Sequence, residues 1–119
     1  MKIHRVLGPG FLESVYQNAL LLELRKAGLT VDTQKHLQVR YEGSVVGDFI
    51  ADIVVNAALI LELKTATALG KADEQQLVNY LKATGIDIGL LLNFGSSSLE
   101  VRRKVRSLPV NPVNPVNPV

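Results

Sequence analysis

The chain of 119 residues contains no cysteine. This absence excludes disulfide bonds, thiolate metal sites and cysteine nucleophiles. Any metal ion must therefore be bound by oxygen ligands or by the two histidines, His4 and His36. Oxygen ligands favour a hard cation such as Mg²⁺ or Mn²⁺.

Long apolar runs and a strong charge of either sign are also missing. No apolar run approaches the ~20 residues of a membrane span, and the segment Met-Lys-Ile-His-Arg at the start lacks the hydrophobic region of a signal peptide. We therefore expect a cytoplasmic protein that makes no membrane contact. A net charge of +2 permits a polyanionic partner without indicating one, because nucleic-acid binders are recognised by clustered charge. Gly8-Pro9-Gly10 is not followed by Gly-Lys-Ser/Thr, which excludes a P-loop nucleotide switch.

The apolar patterns that are present predict one α/β domain over residues 1–108. Its order is helix-strand-strand-strand-helix-strand, with the last strand parallel to the third because a buried strand, a helix and a strand form a crossover unit. The predicted helices span 11–26 and about 72–84, and the predicted strands span 30–41, 45–55, 59–64 and 86–94. The first helix is expected to bury Phe11, Val15, Ala19 and Leu22. Residues 99–108 fit either an edge strand or a short helix. The Asn-Pro-Val repeats of 109–119 predict a disordered or extended tail.

Two acids and a lysine stand out in the predicted hairpin of strands two and three. If the loop is centred on Ala57, Val55 faces Leu59, and counting back sets Asp52 opposite Glu62. Lys64 emerges on the same face, two residues further on. Like charges that face each other destabilise a sheet. The two carboxylates therefore need a compensating cation, which is a metal ion, Lys64 or both.

An alternative is that this face of the hairpin is simply solvated, as in many antiparallel sheets. The expected neighbours on that face, Ile50, Val54 and Ile60, are apolar. The opposite face is apolar throughout, and its residues are Ala51, Ile53, Val55, Leu59, Leu61 and Leu63. Strands that are apolar on both faces are buried, and acids in them require a compensating partner. This pattern favours a functional site over a solvated surface.

Three further polar residues lie on the predicted helices. Glu13 is in a first turn, where an acid complements the helix dipole, and this explanation is sufficient on the sequence alone. Gln76 and Tyr80 share one side of the second helix. Tyr80 fits a core aromatic residue whose hydroxyl group reaches the rim, and Gln76 fits an exposed helix position.

These residues resemble a known family. The pattern Asp52-x9-Glu62-Leu63-Lys64, in the element order above, resembles the PD-(D/E)xK nuclease superfamily, which has a restriction-endonuclease-like core with a mixed central sheet. Residues 10–16, Gly-Phe-Leu-Glu-Ser-Val-Tyr, resemble more narrowly the signature of its GxxExxY proteins. Residues 7–13, 76–82 and 89–94 follow the same pattern, so the resemblance covers about 4–94.

The resemblance implies a role for each residue of the site. Asp52 and Glu62 match the acids that bind one or two divalent cations, Mg²⁺ or Mn²⁺, often together with the carbonyl of the residue that corresponds to Leu63. Lys64 matches the lysine that orients the attacking water. Glu13 matches an extra metal ligand from the first helix. Gln76 and Tyr80 match a Q-x-x-x-Y pattern of RecB-like nucleases that supports the site or the DNA; we expect a functional role for Gln76 and a packing role for Tyr80.

The chain also departs from the family pattern. It has Asp73 where family members commonly have His, and Ile50 where they have a basic residue. Asp73 fits either an added negative charge near the site or a helix cap. Only 1–7 precede the Gly-Pro-Gly turn, where family members have a longer helix. Apolar surface exposed by this shortening would favour a homodimer.

The resemblance implies a metal-dependent nuclease that hydrolyses DNA. Basic side chains are expected to contact the DNA phosphates, because such contacts supply most of the sequence-independent affinity. The candidate basic residues are Lys35, Arg40, Lys71, Arg102, Arg103, Lys104 and Arg106. The cluster at 102–106 fits equally a solvated edge whose charge prevents aggregation. The alternative function is a non-catalytic module of nuclease fold that binds nucleic acid or a protein partner. The small size favours the module, and the intact set of Asp52, Glu62 and Lys64 favours the enzyme.

Overall fold

The computed structural model describes residues 2–106, which form three helices and five strands. The elements are α1 (Lys2–Leu7), α2 (Glu13–Lys26), β1 (Val31–Tyr41), β2 (Ser44–Val55), β3 (Leu59–Lys64), α3 (Lys71–Thr84), β4 (Ile88–Asn93) and β5 (Glu100–Val105). The predicted α/β fold and order of elements are confirmed, with α1 and β5 added at the two ends. The predicted tail of 109–119 lies outside the described residues. No helix within 2–106 is long and apolar enough to cross a membrane.

The five strands form one mixed sheet in the order β1-β2-β3-β4-β5. As predicted, β4 runs parallel to β3, which places Lys64 beside Asn93. The other neighbouring strands pair in antiparallel fashion. Residues 100–105 are an edge strand on β4, so the first of the two alternatives for this segment is confirmed.

The core has one apolar layer on each face of the sheet. Helices α1 and α2 cover one face, where Leu61, Leu63 and Leu92 are buried. Helix α3 covers the other face, where Ile60 and Leu91 are buried. Because successive strand residues point to opposite faces, β3 and β4 must be apolar on both sides. The central strands are thus buried, as the apolar runs predicted.

The buried face of α2 differs from the prediction. The side chains of Phe11 and Leu22 are 47% and 60% exposed, whereas Tyr16, Leu20 and Leu21 are buried. The helix begins at Glu13, so Phe11 precedes it and cannot extend its apolar face. Three consecutive leucines at 20–22 also leave the orientation of the helix open in the sequence.

The alternation of β2 shifts by one residue at Asp52, which also differs from the prediction. Phe49 and Ala51 pack with Val54 on the α3 side of the sheet, whereas Ile53 packs on the α2 side. A regular pleat would have placed Ala51 and Ile53 on one face. Ile50 is 45% exposed and does not share a buried face with Val54.

The partner strand is irregular at the corresponding position. Gln34 has a φ of 48° and lies between the pairs Thr33–Ile53 and Lys35–Ala51. A local irregularity of this kind bends a strand and re-aims its side chains. Asp52 therefore lies opposite an irregularity in β1.

The hairpin between β2 and β3 has the predicted three-residue loop. Val55 pairs with Leu59, and the N–H of Ala58 donates to the carbonyl of Val55 over 2.9 Å. Asn56 and Ala57 have φ values of 51° and 55°, in the left-handed region. This loop sets the register that brings Asp52 and Glu62 to the same level.

Candidate active site

Strands β2 and β3 separate at Asp52 and Glu62. Their pairing runs from Val55–Leu59 to Ile53–Leu61 and goes no further. Beyond it, the amide of Asp52 donates to Oε2 of Glu62 over 3.0 Å. The amide of Leu63 donates to Oδ2 of Asp52 over 2.8 Å. The two carboxylates thus accept the main-chain N–H groups that carbonyl groups would accept in a regular ladder. These reciprocal hydrogen bonds hold the two carboxylates across the hairpin from each other.

Burial and mutual repulsion make the ionised form of this acid pair costly. Glu62 is only 8% exposed. Burial, followed by the charge of Asp52, raises the pKa of Glu62 to about 7, against the lowering effects of the Asp52 amide and Lys64. Burial also raises the pKa of Asp52, although the Leu63 amide and Lys64 oppose the shift. A cation beside the pair would favour ionisation of both carboxylates.

Glu13 and Lys64 lie within electrostatic reach of this pair. Burial and the charge of Asp52 raise the pKa of Glu13, and Lys64 lowers it. The ion pair of Lys64 is made with Asp73, at 4.0 Å between Nζ and Oδ1. The ammonium group is thus held at the side of the acid pair.

Asp73 is both a helix cap and a charge near the site. Its Oδ2 accepts the N–H of Gly70 over 2.9 Å at the start of α3, while its Oδ1 faces Lys64. The two alternatives predicted for Asp73 therefore hold together. The start of α3 is tied to the end of β3 through this one side chain.

Tyr80 packs in the α3 layer, and its hydroxyl group lies within electrostatic reach of the two acids. Its ring stacks on Phe49 with 3.6 Å between ring centroids and 7° between planes. Burial raises the pKa of Tyr80, the charges of Glu62 and Asp52 raise it further, and the side chain of Gln76 lowers it. Gln76 itself is exposed. This stack on Phe49 agrees with the packing role predicted for Tyr80. The functional role of Gln76 stays a prediction.

Tyr16 has a positioning role that the sequence did not reveal. It is fully buried, and its ring stacks on Phe94 with 4.6 Å between centroids. Its hydroxyl donates to the carbonyl of Gly8 and accepts the N–H of Phe11 over 3.1 Å. Tyr16 thereby fixes the Gly-Pro-Gly turn that leads into α2 and Glu13. The only sequence signal was its place in the motif of residues 10–16.

Asn93 is a second such residue, fully buried at the end of β4. Its Oδ1 accepts the N–H groups of Ala66 and Gly95, each over 3.0 Å. Its Nδ2 donates to Glu100 Oε1 over 2.7 Å, and the same oxygen accepts the N–H of Leu69 over 3.1 Å. Asn93 and Glu100 thus fix the loop that follows Lys64. The sequence signal, a polar residue that ends an apolar run, was visible but its partners were not.

The seven basic residues predicted to contact DNA do not form one patch. Lys35 and Arg40 lie on β1, at one edge of the sheet. The cluster at 102–106 lies on β5 and just after it, at the opposite edge, and Lys71 begins α3. Two separate basic surfaces therefore flank the acid pair.

The side chains of the acid pair are chemically suited to bind a hard divalent cation. Within 2–106, no three side chains of His, Asp or Glu are grouped closely enough to hold a metal ion. Asp52 and Glu62 offer two adjacent carboxylates whose ionisation a cation would relieve, and Mg²⁺ characteristically takes one or two carboxylates and keeps several waters. Ligation of the metal ion by Glu13 and by the Leu63 carbonyl stays a prediction.

Comparison with known proteins agrees with this fold. Residues 1–104 match the family model of the PD-(D/E)XK nuclease superfamily, and the chain belongs to this superfamily. Its members are usually nucleases that act on nucleic acid and typically use divalent metal ions.

A solved structure supports the fold. The crystal structure of SSO0001 superposes with a TM-score of 0.62 and 16% sequence identity, over 81% of this chain and 50% of that chain. The chain thus spans about half the length of that protein, and at this identity the likeness shows the fold alone. No curated protein matches the sequence.

Proposed function

We propose that this protein is a divalent-metal-dependent nuclease that hydrolyses DNA phosphodiester bonds. The proposal rests chiefly on one observation, the exchange of hydrogen bonds that holds the carboxylates of Asp52 and Glu62 across the hairpin from each other. Membership of a superfamily whose members are usually nucleases supports it. Acids that were only structural would carry a pair repulsion that neutral hydrogen-bond acceptors at the same positions would avoid.

In this proposal Asp52 and Glu62 hold Mg²⁺ or Mn²⁺, with the Leu63 carbonyl and Glu13 as further ligands. A bound divalent ion would supply Lewis-acid stabilisation of the negative charge that develops on the phosphate. The pKa of Glu62 is raised to about 7 without a cation, and a bound cation would lower it, so metal affinity should rise with pH as protons leave the acid pair.

Lys64 orients the attacking water in this proposal. Its ammonium group donates hydrogen bonds and offsets negative charge without having to lose its proton. Asp73, 4.0 Å from Nζ, limits where the flexible lysine side chain can point. Tyr80 and Gln76 lie at the rim on the α3 side, where they support the acids or the bound strand.

A non-catalytic module is the second candidate function. The absence of any group of three potential metal-ligating side chains within residues 2–106 favours it. Such a module would bind nucleic acid or a protein partner through the same fold, with the two acids joined to the main chain as structural groups.

A cleavage assay separates the two functions. Purified protein is incubated with single-stranded, duplex and branched DNA in the presence of Mg²⁺ or Mn²⁺, and compared with Asp52→Ala and Lys64→Ala. Asp48→Ala, at an exposed acid on the same strand, is the matched control. Metal-dependent cleavage in the wild type and control, and its loss in the two site variants, supports the enzyme. Binding without cleavage that survives in all variants supports the module.

A further inference from the structure

An open groove of about 550 Å³ lies between β1 and the last turn of α3. Three cations line it: Lys35 and Arg40 from β1, and Lys82 from α3. Its apolar lining comes from Leu37, Val54 and Ile86, and no Asp or Glu is among the described residues that line it. The groove thus combines clustered positive charge with apolar surface, which is the combination that a nucleic-acid strand requires.

The charges in this groove are largely uncompensated. Arg40 donates to two neutral oxygens, the Gly43 carbonyl and Gln38 Oε1. Neither Arg40 nor Lys82 has an ion pair within residues 2–106, and Lys35 pairs with Asp32 at 3.5 Å on the exposed surface. Lys82 also complements the C-terminal end of the α3 dipole, so its position alone does not demand a ligand. The evidence for a polyanionic ligand is that three cations from two different elements converge on one groove.

The basic edge on β5 is different, because acids already neutralise most of it. Lys104 pairs with Glu74, Arg106 with Asp87 at 2.9 Å, and Arg102 with Glu100 at 3.5 Å. A phosphate that approached this edge would have to displace existing carboxylate partners. Within residues 2–106, two of the three groove cations have no ion pair, whereas on the β5 edge only Arg103 of the four basic residues at 102–106 has none. The groove therefore leaves more of its charge free for a polyanion.

A chain of neighbouring side chains connects the groove to the acid pair. Leu37, in the groove lining, pairs with Phe49 on the neighbouring strand. Phe49 stacks on Tyr80, whose hydroxyl is within electrostatic reach of Asp52 and Glu62. A strand held in the groove would thus continue past the Phe49–Tyr80 pair to the carboxylates.

We propose that the groove between β1 and the end of α3 binds the phosphate backbone of the DNA strand and delivers that strand to the acid pair. Arg40, Lys82 and Lys35 contact successive phosphates, while the partly exposed Leu37 and Ile86 contact sugars or bases. This inference rests on the proposed function, but it concerns binding and can be tested without catalysis.

The test is equilibrium binding of a fluorescent single strand of 20 nucleotides, and of its duplex, in EDTA at several salt concentrations. The variant Arg40→Ala/Lys82→Ala is compared with Arg102→Ala/Lys104→Ala, which removes the same number of positive charges from the β5 edge, both of them paired with acids. We expect the groove variant to lose about tenfold in affinity and its salt slope to fall by about 2, because each lost phosphate contact removes ~0.9 from the slope. We expect the β5 variant to change by less than about twofold.

Several outcomes would overturn the proposal. They are equal losses in the two double variants, a larger loss in the β5 variant, or no DNA binding by the wild type. Unfolding curves of each variant exclude a folding defect, and Lys35→Ala provides a third groove variant if one of the others unfolds. Failure of the groove proposal can be distinguished from failure of the nuclease proposal. Asp52-dependent cleavage by the wild type together with normal DNA binding by the groove variant defeats the groove proposal alone. A wild type that binds DNA but never cleaves it, with binding lost in the groove variant, defeats the nuclease proposal alone.

Discussion

The amide of Asp52 donates a hydrogen bond to Oε2 of Glu62 over 3.0 Å, at the first level where β2 and β3 no longer pair. The main chain of one acid thus orients the carboxylate of the other. The same bond favours the ionised form of Glu62, but burial and the charge of Asp52 outweigh it. The pair is therefore held in place while its full ionisation remains costly, which is a suitable starting state for a cation site.

The first prediction concerns the dependence of stability on pH. The pKa of Glu62 is about 7 in the folded protein, against 4.5 as its ordinary value. The native state therefore retains a proton that the unfolded chain loses, and the free energy of unfolding falls as pH rises from about 4.5 to 7, by up to ~3 kcal/mol. Because glutamine cannot ionise, Glu62→Gln should remove this fall in the free energy of unfolding. Urea unfolding between pH 4 and 8 measures the difference, with Glu42→Gln at an exposed acid as the control. Parallel pH profiles for wild type and Glu62→Gln would contradict the assignment.

The second prediction concerns the hydroxyl of Tyr16. Tyr16→Phe keeps the ring stacked on Phe94 but leaves the N–H of Phe11 and the carbonyl of Gly8 without their partner. We expect the free energy of unfolding to fall by about 1–3 kcal/mol. Cleavage should also fall, because the turn that leads to Glu13 is loosened. Tyr41→Phe, at a side chain that is 66% exposed, should change neither quantity. Equal stability of the two variants would show that Tyr16 acts only through its ring.

The third prediction concerns the buried amide of Asn93. Asn93→Ala removes the acceptor for the N–H groups of Ala66 and Gly95 and the donor to Glu100. Buried groups left unpaired cost ~1–3 kcal/mol each, so we expect a loss of about 3 kcal/mol. Chemical unfolding measures it. Asn79→Ala, at an exposed position on α3, is the control and should change stability by less than about 0.5 kcal/mol.

The fourth prediction concerns the loop of the hairpin. Ala57 has a φ of 55°, a conformation that costs a residue with a Cβ atom ~1–2 kcal/mol. Glycine adopts it freely but gives the unfolded chain more entropy, so Ala57→Gly should stabilise the protein by a net ~0.5–1 kcal/mol. Ala58→Gly relieves no positive φ and should be neutral or destabilising. A lower thermal midpoint for Ala57→Gly than for wild type would contradict the geometry of the loop.

The fold and the register of the acids could be predicted from local patterns. Two β-branched runs that flank Asn56 define the hairpin, and a three-residue loop then leaves one register. Glycines at 28 and 85, with φ values of 82° and 76°, end α2 and α3 where the sequence placed them. These features depend on neighbours in the chain, so they are visible in the sequence.

The rest depends on contacts between distant residues. The shift in alternation at Asp52 cannot be seen by counting along β2, because strict alternation assumes a regular pleat. The buried face of α2 is set by Phe94 and the sheet, whereas its leucines allow more than one orientation. Tyr16 and Asn93 act on main-chain groups whose positions exist only in the folded protein. The separation of the basic residues onto opposite edges likewise follows from strand order.

The most direct test of the central claim is a titration with Mn²⁺, monitored by calorimetry or electron paramagnetic resonance at pH 8. We predict that wild type and Asp48→Asn bind Mn²⁺ with equal affinity, and that Asp52→Asn and Glu62→Gln bind it at least about tenfold more weakly, because each removes one of two charged ligands. Equal affinity in all four proteins would contradict the claim that the two carboxylates share one cation.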